Sequence, residues 1–156
     1  MAIVVIIHRK SGDDGSVLID ILKDKTGLAA EEAEEKIPLT GNTIYIAPGD
    51  YHLLIEKEKT FSLDASEKVN YSRPSIDVSF ESAANAFGDK VIAILLSGAN
   101  NDGTAGLIAV KHCGGITIVQ EPSSAALSFM PEFAVRHASP SKVLTVAEMI
   151  AWFNTL

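Results

Sequence analysis

Two polar residues, His8 and Asp102, have the chemistry that a general base and its orienting carboxylate require. His8 directly follows an apolar run with strand character, and Asp102 lies in a glycine- and asparagine-rich turn after a second apolar run. In an open parallel sheet, a functional site lies outside the carboxyl ends of the strands. The sequence therefore predicts that His8 and Asp102 share one cleft, where the imidazole could take a proton from a nucleophile.

Both residues also have a purely structural interpretation. A single histidine after a strand is commonly a surface residue, and Asp102 could cap the helix that begins beside Gly103. We interpret the other histidines, His52, His112 and His137, as structural, because they fall on a hairpin, on a helix and at a helix end. No spacing of histidine and carboxylate residues resembles a zinc motif, so we expect neither a metal nor an organic cofactor.

The turn over residues 97–103, SGANNDG, offers backbone amides at the start of a helix. It matches neither G-x-x-x-x-G-K-[ST] nor G-x-G-x-x-G, which weakens an interpretation as a phosphate-binding site on a flavodoxin-like fold. Glycine and asparagine could instead let these amides approach a substrate oxygen. Nucleotide titration would distinguish the two interpretations.

The composition is that of a folded protein with one domain. Hydrophobic residues make up 47% of the 156 residues and charged residues 21%, which excludes an intrinsically disordered chain. The net charge of −7 argues against a general binder of nucleic acids. The uncharged stretch at residues 91–101 is too short to cross a bilayer, and the apolar N-terminus lacks the features of a signal peptide. We therefore expect a cytoplasmic protein without membrane insertion, and the lone Cys113 excludes an intrachain disulfide.

Apolar runs and helical patterns alternate along the chain. Continuous apolar runs, as at residues 2–7 and 91–96, are typical of strands that are covered on both faces, and we expect residues 91–96 to form the central strand. The alternation predicts an α/β three-layer sandwich around a mainly parallel, doubly wound sheet, with a small antiparallel hairpin insertion. We interpret the glutamate-rich run at residues 31–35 as solvated surface. Further strands are predicted at residues 43–47, 116–119 and 142–144, a hairpin at 52–56 with 60–63, and helices at 16–25, 74–87, 104–113, from 130 and from 145.

Four sequence motifs follow one another across nearly the whole chain. Residues 45–53 read YIAPGDYHL, and residues 73–77 read RPSID. Residues 95–107 read LLSGANNDGTAGL, and residues 117–121 read TIVQE, with a Met-Pro pair at 130–131. The first three resemble the Y-I-A-P-x-x-x-H-L, R-P-S-[IV]-D and L-[ST]-G-x-x-x-D-G-x-x-G motifs of the chemotaxis receptor methylesterases, the CheB family. The fourth, with the Met-Pro pair at the expected interval, resembles the segment that follows them in that family.

The resemblance implies an α/β domain that hydrolyses glutamate γ-methyl esters on methylated chemoreceptor-like proteins with a Ser-His-Asp triad and without a cofactor. It assigns the histidine to His8, which would accept the proton of the nucleophile and later activate water. It assigns the aspartate to Asp102, which would fix the imidazole tautomer and stabilise its protonated form. It also assigns a group of residues to the surroundings of the substrate or its oxyanion, namely Arg9, Gly98, Ala99, Asn100 and Met130.

The sequence departs from the family pattern at the nucleophile. The family's serine lies in a G-x-S-x-G-type turn about two dozen residues before the histidine, as a strand–turn–helix unit requires, whereas seven residues precede His8. The other serines near predicted loops do not match that position, namely Ser11, Ser97, Ser123 and Ser124. We therefore expect no nucleophile in this chain, which would be a single methylesterase domain over residues 1–156, N-terminally incomplete and without a receiver domain.

Two further positions differ from the family. Ala99 stands where methionine is frequent, and Arg9-Lys10 stands where the family has Met-Pro after the histidine.

The family resemblance and the missing nucleophile together leave two functional hypotheses. The first is a protein-glutamate methylesterase whose present chain has little activity alone, and the alternative is a catalytically silent binding module of the same fold. An in-frame G-x-S-x-G upstream of Met1 would favour the first hypothesis, and a stop codon there would favour the second.

Overall fold

A computed structural model describes residues 1–9, 12 and 15–156. Within these ranges the chain folds into short strands that alternate with α-helices, as the apolar pattern predicts. The strands are β1 (Ile3–Val5), β2 (Ala29–Glu32), β3 (Thr43–Ile46), β4 (His52–Ile55), β5 (Phe61–Asp64), β6 (Ile92–Leu95), β7 (Ile116–Gln120) and β8 (Lys142–Leu144). The helices are α1 (Ser16–Thr26), α2 (Ile76–Phe87), α3 (Thr104–His112), α4 (Phe129–Ala138) and α5 (Val146–Phe153).

The described strands form two parallel three-stranded sheets and one antiparallel pair. In the first sheet, β1 and β2 pair with opposite edges of β3, so that Ile44 faces Ile3 on one side and Ala30 on the other. In the second, β6 and β8 pair with β7. The antiparallel pair joins β4 to β5. This arrangement confirms the prediction of a mixed α/β fold with mainly parallel strands and a small antiparallel hairpin.

The prediction that residues 91–96 form the central strand is wrong for the described chain. The central strand of the second sheet is β7, whereas β6 pairs on one edge only. Ala93 and Leu95 are buried, but Ile92 and Ile94 are half-buried and Leu96 is 48% exposed. An apolar run shows that both faces of a strand favour burial, but it does not show which of its edges is paired.

Strand β2 lies where we predicted only a solvated, glutamate-rich surface. Ala30 of β2 and Ala33, which follows the strand, are buried, while the glutamates around them are exposed. Glu32 pairs with Arg9 at 3.1 Å, and Glu35 Oε2 accepts a hydrogen bond from the Leu63 amide at 2.7 Å. The strand is not evident in the sequence, because the buried positions are small alanines three residues apart and the residues between them are charged.

The glycines of the turn after β6 are required by close packing. Gly103 has a φ of 92°, and a Cβ there would lie 2.6 Å from Leu95 Cδ1. Gly106 lies where α3 meets α2, and a Cβ there would lie 2.5 Å from the Cβ of Phe80. Both contacts are far shorter than an ordinary carbon–carbon approach of about 3.5–4.0 Å. The spacing D-G-x-x-G therefore sets how closely the turn and α3 approach the core.

An apolar cavity of about 270 Å³ lies between the open edges of β1 and β6. Val4 and Ile6 line it from the β1 segment, Ile92 and Ala93 line it from the β6 segment, and Phe80 of α2 contributes a further wall. Among the described residues, β1 pairs only with β3, and β6 pairs only with β7. We call this space the inter-sheet cavity, and it leaves two parallel edges facing one apolar space.

Helix ends follow the local sequence signals. Gly27 ends α1 in the left-handed conformation with a φ of 67°, as a glycine at this position favours. Thr145 and Glu148 form the predicted capping box at the start of α5, with hydrogen bonds in both directions. None of the helices formed by the described residues is long and apolar enough to span a bilayer.

We expect Leu95→Asp to destabilise the fold, because Leu95 is 1% exposed in the core cluster. An unpaired charge there should lower the free energy of unfolding by about 3–5 kcal/mol or prevent folding. The matched control is Leu96→Asp, the next residue, whose exposed side chain should make the change worth less than about 1 kcal/mol. Urea unfolding followed by circular dichroism measures both variants, and equal effects would contradict the assignment of Leu95 to the core.

Candidate functional site

The structure brings His8 and Asp102 into direct contact. His8 Nε2 lies 2.7 Å from Asp102 Oδ2, and the two residues follow the carboxyl ends of β1 and β6. The His8 side chain is 29% exposed, while that of Asp102 is fully buried. An ionised carboxylate can only accept a hydrogen bond, so Nε2 is the donor. In the neutral imidazole the proton then resides on Nε2, and Nδ1 is the nitrogen that can take a proton from a nucleophile.

The carboxylate of Asp102 accepts hydrogen bonds from four further donors besides the imidazole. Oδ2 also accepts from the Ile76 amide at 2.7 Å. Oδ1 accepts from Ser75 Oγ at 2.8 Å, from Asn70 Nδ2 at 3.1 Å and from the Asp77 amide at 3.1 Å. Two of these donors are backbone amides at the start of α2, where an anion is favoured by the helix dipole.

The capping interpretation of Asp102 holds for a different helix from the one we expected. Gly103 is the N-cap residue of α3 and has no side chain, and it is the Asp77 carboxylate that accepts from an amide of the first turn of α3, that of Gly106. The Asp102 carboxylate instead binds the amides of Ile76 and Asp77 at the start of α2. The structural and the chemical interpretations of Asp102 are therefore compatible, because one carboxylate serves the helix end and the imidazole together.

Burial on its own would raise the pKa of Asp102, but its hydrogen bonds outweigh that effect. The bonds from His8, from the amides of Ile76 and Asp77 and from the Ser75 hydroxyl lower the pKa to about 2. At neutral pH the carboxylate is therefore ionised, which is the state that stabilises a protonated imidazole.

A histidine that we interpreted as structural supports this arrangement. His52 is 1% exposed, and its Nε2 contacts the Glu67 carbonyl oxygen at 2.8 Å while its Nδ1 accepts a hydrogen bond from the Ser75 amide at 3.1 Å. Because Nδ1 accepts, Nε2 carries the proton and donates to the carbonyl. His52 thereby fixes the backbone of Ser75, whose hydroxyl binds Asp102.

A second buried carboxylate, Asp77, lies beside the first. Its Oδ1 accepts from the Gly106 amide at 2.7 Å, and its Oδ2 accepts from Asn70 Nδ2 at 2.8 Å. Burial raises the pKa of Asp77, an effect that the Gly106 amide opposes and the charge of Asp102 reinforces.

No role was predicted from the sequence for Asn70, Ser75 or Asp77. The RPSID motif contained a signal for the last two, but their hydrogen-bond partners lie about 25 residues further along the chain.

The turn over residues 97–103 offers fewer amides to a substrate than we expected. The Gly98 amide donates to the Leu127 carbonyl oxygen at 3.1 Å, and its own carbonyl accepts from the Met130 amide at 2.9 Å. Met130 is buried against this glycine, since a Cβ on Gly98 would lie 2.5 Å from the Met130 thioether. Gly98 and Met130 therefore pack against each other and are hydrogen-bonded through their backbones. A contact of Ala99 or Asn100 with the substrate oxyanion stays a prediction.

Asn100 connects this turn to the segment before α2. Its Nδ2 donates to the Asn70 carbonyl oxygen at 3.3 Å and contacts Ser72 Oγ at 3.4 Å. Its Oδ1 accepts from the Asp102 amide at 3.1 Å. The side chain thus fixes the position of Asp102 in the turn and holds the neighbouring segment against it.

His8 lies in a cleft of about 340 Å³ that we call the His8 cleft. Arg9 contributes to its wall, but the Arg9 guanidinium also donates to the Ala47 carbonyl oxygen and to Glu32, and this side chain is only 6% exposed. Lys10 and Ser11 lie outside the described residues. The described residues that line the His8 cleft are His8, Arg9, Asp50, Lys68, Tyr71, Ser72 and Arg73.

The remaining serines and histidines lie elsewhere or have other partners. Ser97 Oγ binds the backbone of Leu127, and Ser124 Oγ binds the Glu121 carbonyl oxygen. His137 stacks on Phe133 with ring centroids 4.1 Å apart. In the ranges that the structure describes, no serine hydroxyl is hydrogen-bonded to His8, and no three His, Cys, Asp or Glu side chains cluster as a metal site.

The low pKa of Asp102 predicts a specific pH dependence of stability. The ionised carboxylate should contribute about 2 kcal/mol above pH 4, and this contribution should be lost as the pH falls toward 2. We expect the difference in free energy of unfolding between the parent and Asp102→Asn to shrink as the pH falls from 4 toward 2. Urea titrations across this range measure it, and a difference that stays constant down to pH 2 would contradict the assignment.

Comparison with known proteins places this geometry in a family. Residues 1–153 match the model of the CheB methylesterase family. A protein of Leptospira interrogans serogroup Icterohaemorrhagiae, named "Putative protein-glutamate methylesterase/protein-glutamine glutaminase", is 42% identical over 154 residues, which are 99% of this chain and 79% of that protein. A Methanosarcina mazei protein named "Protein-glutamate methylesterase/protein-glutamine glutaminase 2" is 35% identical over 155 residues, 95% of this chain but 42% of its own length.

A solved structure agrees with the sequence matches. The crystal structure of the Thermotoga maritima CheB methylesterase catalytic domain superposes with a TM-score of 0.87 at 33% identity, covering 94% of this chain and 78% of that one. The resemblance inferred from the four motifs is thereby confirmed. The chain, with a contacting histidine and aspartate at the carboxyl ends of two parallel strands, belongs to the CheB methylesterase family.

Proposed function

We propose that this chain supplies the base and the orienting carboxylate of a protein-glutamate methylesterase that acts on methylated chemoreceptor-like proteins. The observation that carries the proposal is the 2.7 Å contact between His8 Nε2 and the ionised Asp102. It leaves Nδ1 of a partly exposed imidazole as the base, beside a cleft large enough for a side-chain ester. The family membership and the names of the relatives support the reaction class.

The reaction would proceed in two acyl-transfer steps. His8 Nδ1 takes the proton of a serine hydroxyl while the serine oxygen attacks the ester carbonyl carbon. The intermediate then loses methoxide, which receives the proton from Nδ1 and leaves as methanol. A water molecule repeats the sequence on the acyl-enzyme, which releases the glutamate carboxylic acid and restores the serine. Asp102 stabilises the imidazolium in both halves, because its charge lies next to Nε2.

We assign the serine to a strand–turn segment outside these 156 residues that would fill the inter-sheet cavity. Among the described residues, β1 and β6 are edge strands of two parallel sheets, and each has one unpaired edge. His8 and Asp102 follow the carboxyl ends of these strands. A strand between them would end at the same level, so the residue after it would reach the imidazole. The match covers 79% of the Leptospira protein, which leaves roughly 40 residues of that protein for a strand, turn and helix.

The proposal predicts that the serine segment, joined to this chain, raises the rate of methyl ester hydrolysis by about 10³-fold or more, because a triad works as a unit. Reading the DNA upstream of Met1 for an in-frame G-x-S-x-G supplies the native segment. The assay is methanol release from a peptide that carries γ-methyl glutamate. In the extended protein, His8→Ala should remove most of the gain, and so should replacement of the segment's serine by alanine.

A matched histidine variant controls for general damage. His112 is exposed in the last turn of α3, so His112→Ala should leave the rate of the extended protein within about 2-fold. If the present chain alone hydrolyses the peptide as fast as the extended protein, the assignment of the serine is wrong. Loss of activity in both histidine variants alike would show that His8 has no special role.

The alternative function is a catalytically silent binding module. The observation that favours it is the lack of a serine hydroxyl hydrogen-bonded to His8 among the described residues. A stop codon directly before Met1, together with binding of the methylated peptide without methanol release, would establish this alternative. The cytoplasmic location and the single-domain organisation stay predictions from the sequence.

A further inference from the structure

A strained turn carries an exposed aromatic residue at the rim of the His8 cleft. The backbones of Val69 and Ser72 exchange two hydrogen bonds, of 3.1 and 2.9 Å, around Asn70 and Tyr71. Asn70 and Tyr71 have φ values of 50° and 63°. Two successive left-handed residues are typical of a type I′ turn, which favours Asn-Gly. Asparagine suits the first position, but a tyrosine at the second costs about 1–2 kcal/mol relative to glycine.

The turn is anchored to the carboxylates of the site. Asn70 Nδ2 donates to both Asp77 and Asp102, and the Asn70 carbonyl oxygen accepts from Asn100 Nδ2. These bonds hold the backbone that carries Tyr71 at a fixed distance from the catalytic carboxylate. Tyr71 is therefore presented on a rigid support and not on a loosely tethered loop.

The ring of Tyr71 contributes little to the folded core. Tyr71 is 94% exposed, the largest exposed fraction among the large hydrophobic residues of the described chain. It nevertheless lines the same cleft as His8. Packing among the described residues does not offset the unfavourable backbone conformation, and the position of the ring at the rim of the His8 cleft leaves it available to a molecule that enters there.

The charges of the cleft indicate what that molecule carries. The whole chain has a net charge of −7, yet the described residues that line the cleft include Lys68 and Arg73 against the carboxylate Asp50, besides Arg9, which is ion-paired with Glu32. The Arg73 guanidinium is fixed by hydrogen bonds to two backbone carbonyl oxygens. A local excess of cations on an acidic protein favours an acidic partner.

We propose that Tyr71 is a specificity-determining residue that packs against the protein segment bearing the glutamyl ester, and that this segment is acidic, with Lys68 facing its carboxylates. The inference rests on the proposed function for the identity of the ester. The aromatic ring would cover the methylene groups and the methyl of the modified side chain, while the ester carbonyl reaches His8. Tyrosine at position 71 would make this contact, while its positive φ destabilises the local backbone conformation.

Binding and stability measurements on the chain as it exists test the inference. The probes are a fluorescent 15-residue peptide with one central γ-methyl glutamate flanked by glutamates, and the same peptide flanked by lysines. Tyr71→Gly should weaken binding of the acidic peptide by about 3–10-fold in anisotropy titrations, while Tyr71→Phe should stay within about 2-fold. Tyr71→Gly should also raise the Tm by about 1–4 °C, because glycine relieves the positive φ.

A second strained position supplies the matched control. Lys59 lies in the turn of the β4–β5 hairpin and has a φ of 62°. This turn follows Ile55, at the other end of β4 from His52. Lys59→Gly should raise the Tm similarly and leave peptide binding unchanged. A Tm rise for Lys59→Gly but none for Tyr71→Gly would overturn the argument from strain.

The outcomes separate this inference from the proposed function. If the parent binds the acidic peptide and Tyr71→Gly binds it equally well, the role of Tyr71 is wrong while the proposed function stands. Equal binding of the lysine-flanked peptide overturns the acidic character of the substrate. If the parent binds neither peptide, the inference is overturned, while methanol release by the extended protein still decides the proposed function.

Discussion

The site depends on one buried anion. The Asp102 carboxylate is fully excluded from solvent, and an ionised group there would be strongly unfavourable without compensation. Five hydrogen-bond donors compensate it, and they come from the end of β1, the turn before α2 and the first residues of α2. Each donor must lie within hydrogen-bond distance of one of the two carboxylate oxygens, so the anion fixes the relative positions of segments that are up to 94 residues apart in sequence.

The layout of the sheets is the second constraint on function. The histidine and the aspartate follow strands of two different parallel sheets and meet beyond the carboxyl ends of these strands, while the inter-sheet cavity lies beside β1 and β6. The motif glycines permit this layout, because Gly103 and Gly106 allow the turn and α3 to approach Leu95 and Phe80 without a side chain between them. The chemistry of the cleft thus follows from backbone packing several residues away from it.

The sequence predicted the alternation of elements, most helix ends and the pairing of His8 with Asp102, because those features depend on local patterns and on the rule for strand ends. It did not predict that β6 is an edge strand or that the charged segment at β2 is a strand, because edge pairing and one-sided burial are decided by distant segments. It also missed Asn70, Ser75 and Asp77, since a buried network of hydrogen bonds has no spacing of its own along the chain. His52 shows the same limit, because its structural role could be predicted while its link to Ser75 could not.

The double service of Asp102 changes what each member of the pair says about selection. Four of the five hydrogen bonds to its carboxylate hold the fold together, so a descendant that abandoned hydrolysis would still be destabilised by losing the aspartate. His8 contributes one of those bonds, and among them it lowers the pKa of Asp102 most, so its replacement would also remove compensation from the buried anion, although its side chain is partly open to solvent. Under the proposed function, loss of the histidine would mark an inactive relative, whereas the aspartate would be kept for its bonds to the start of α2 in working and silent members alike.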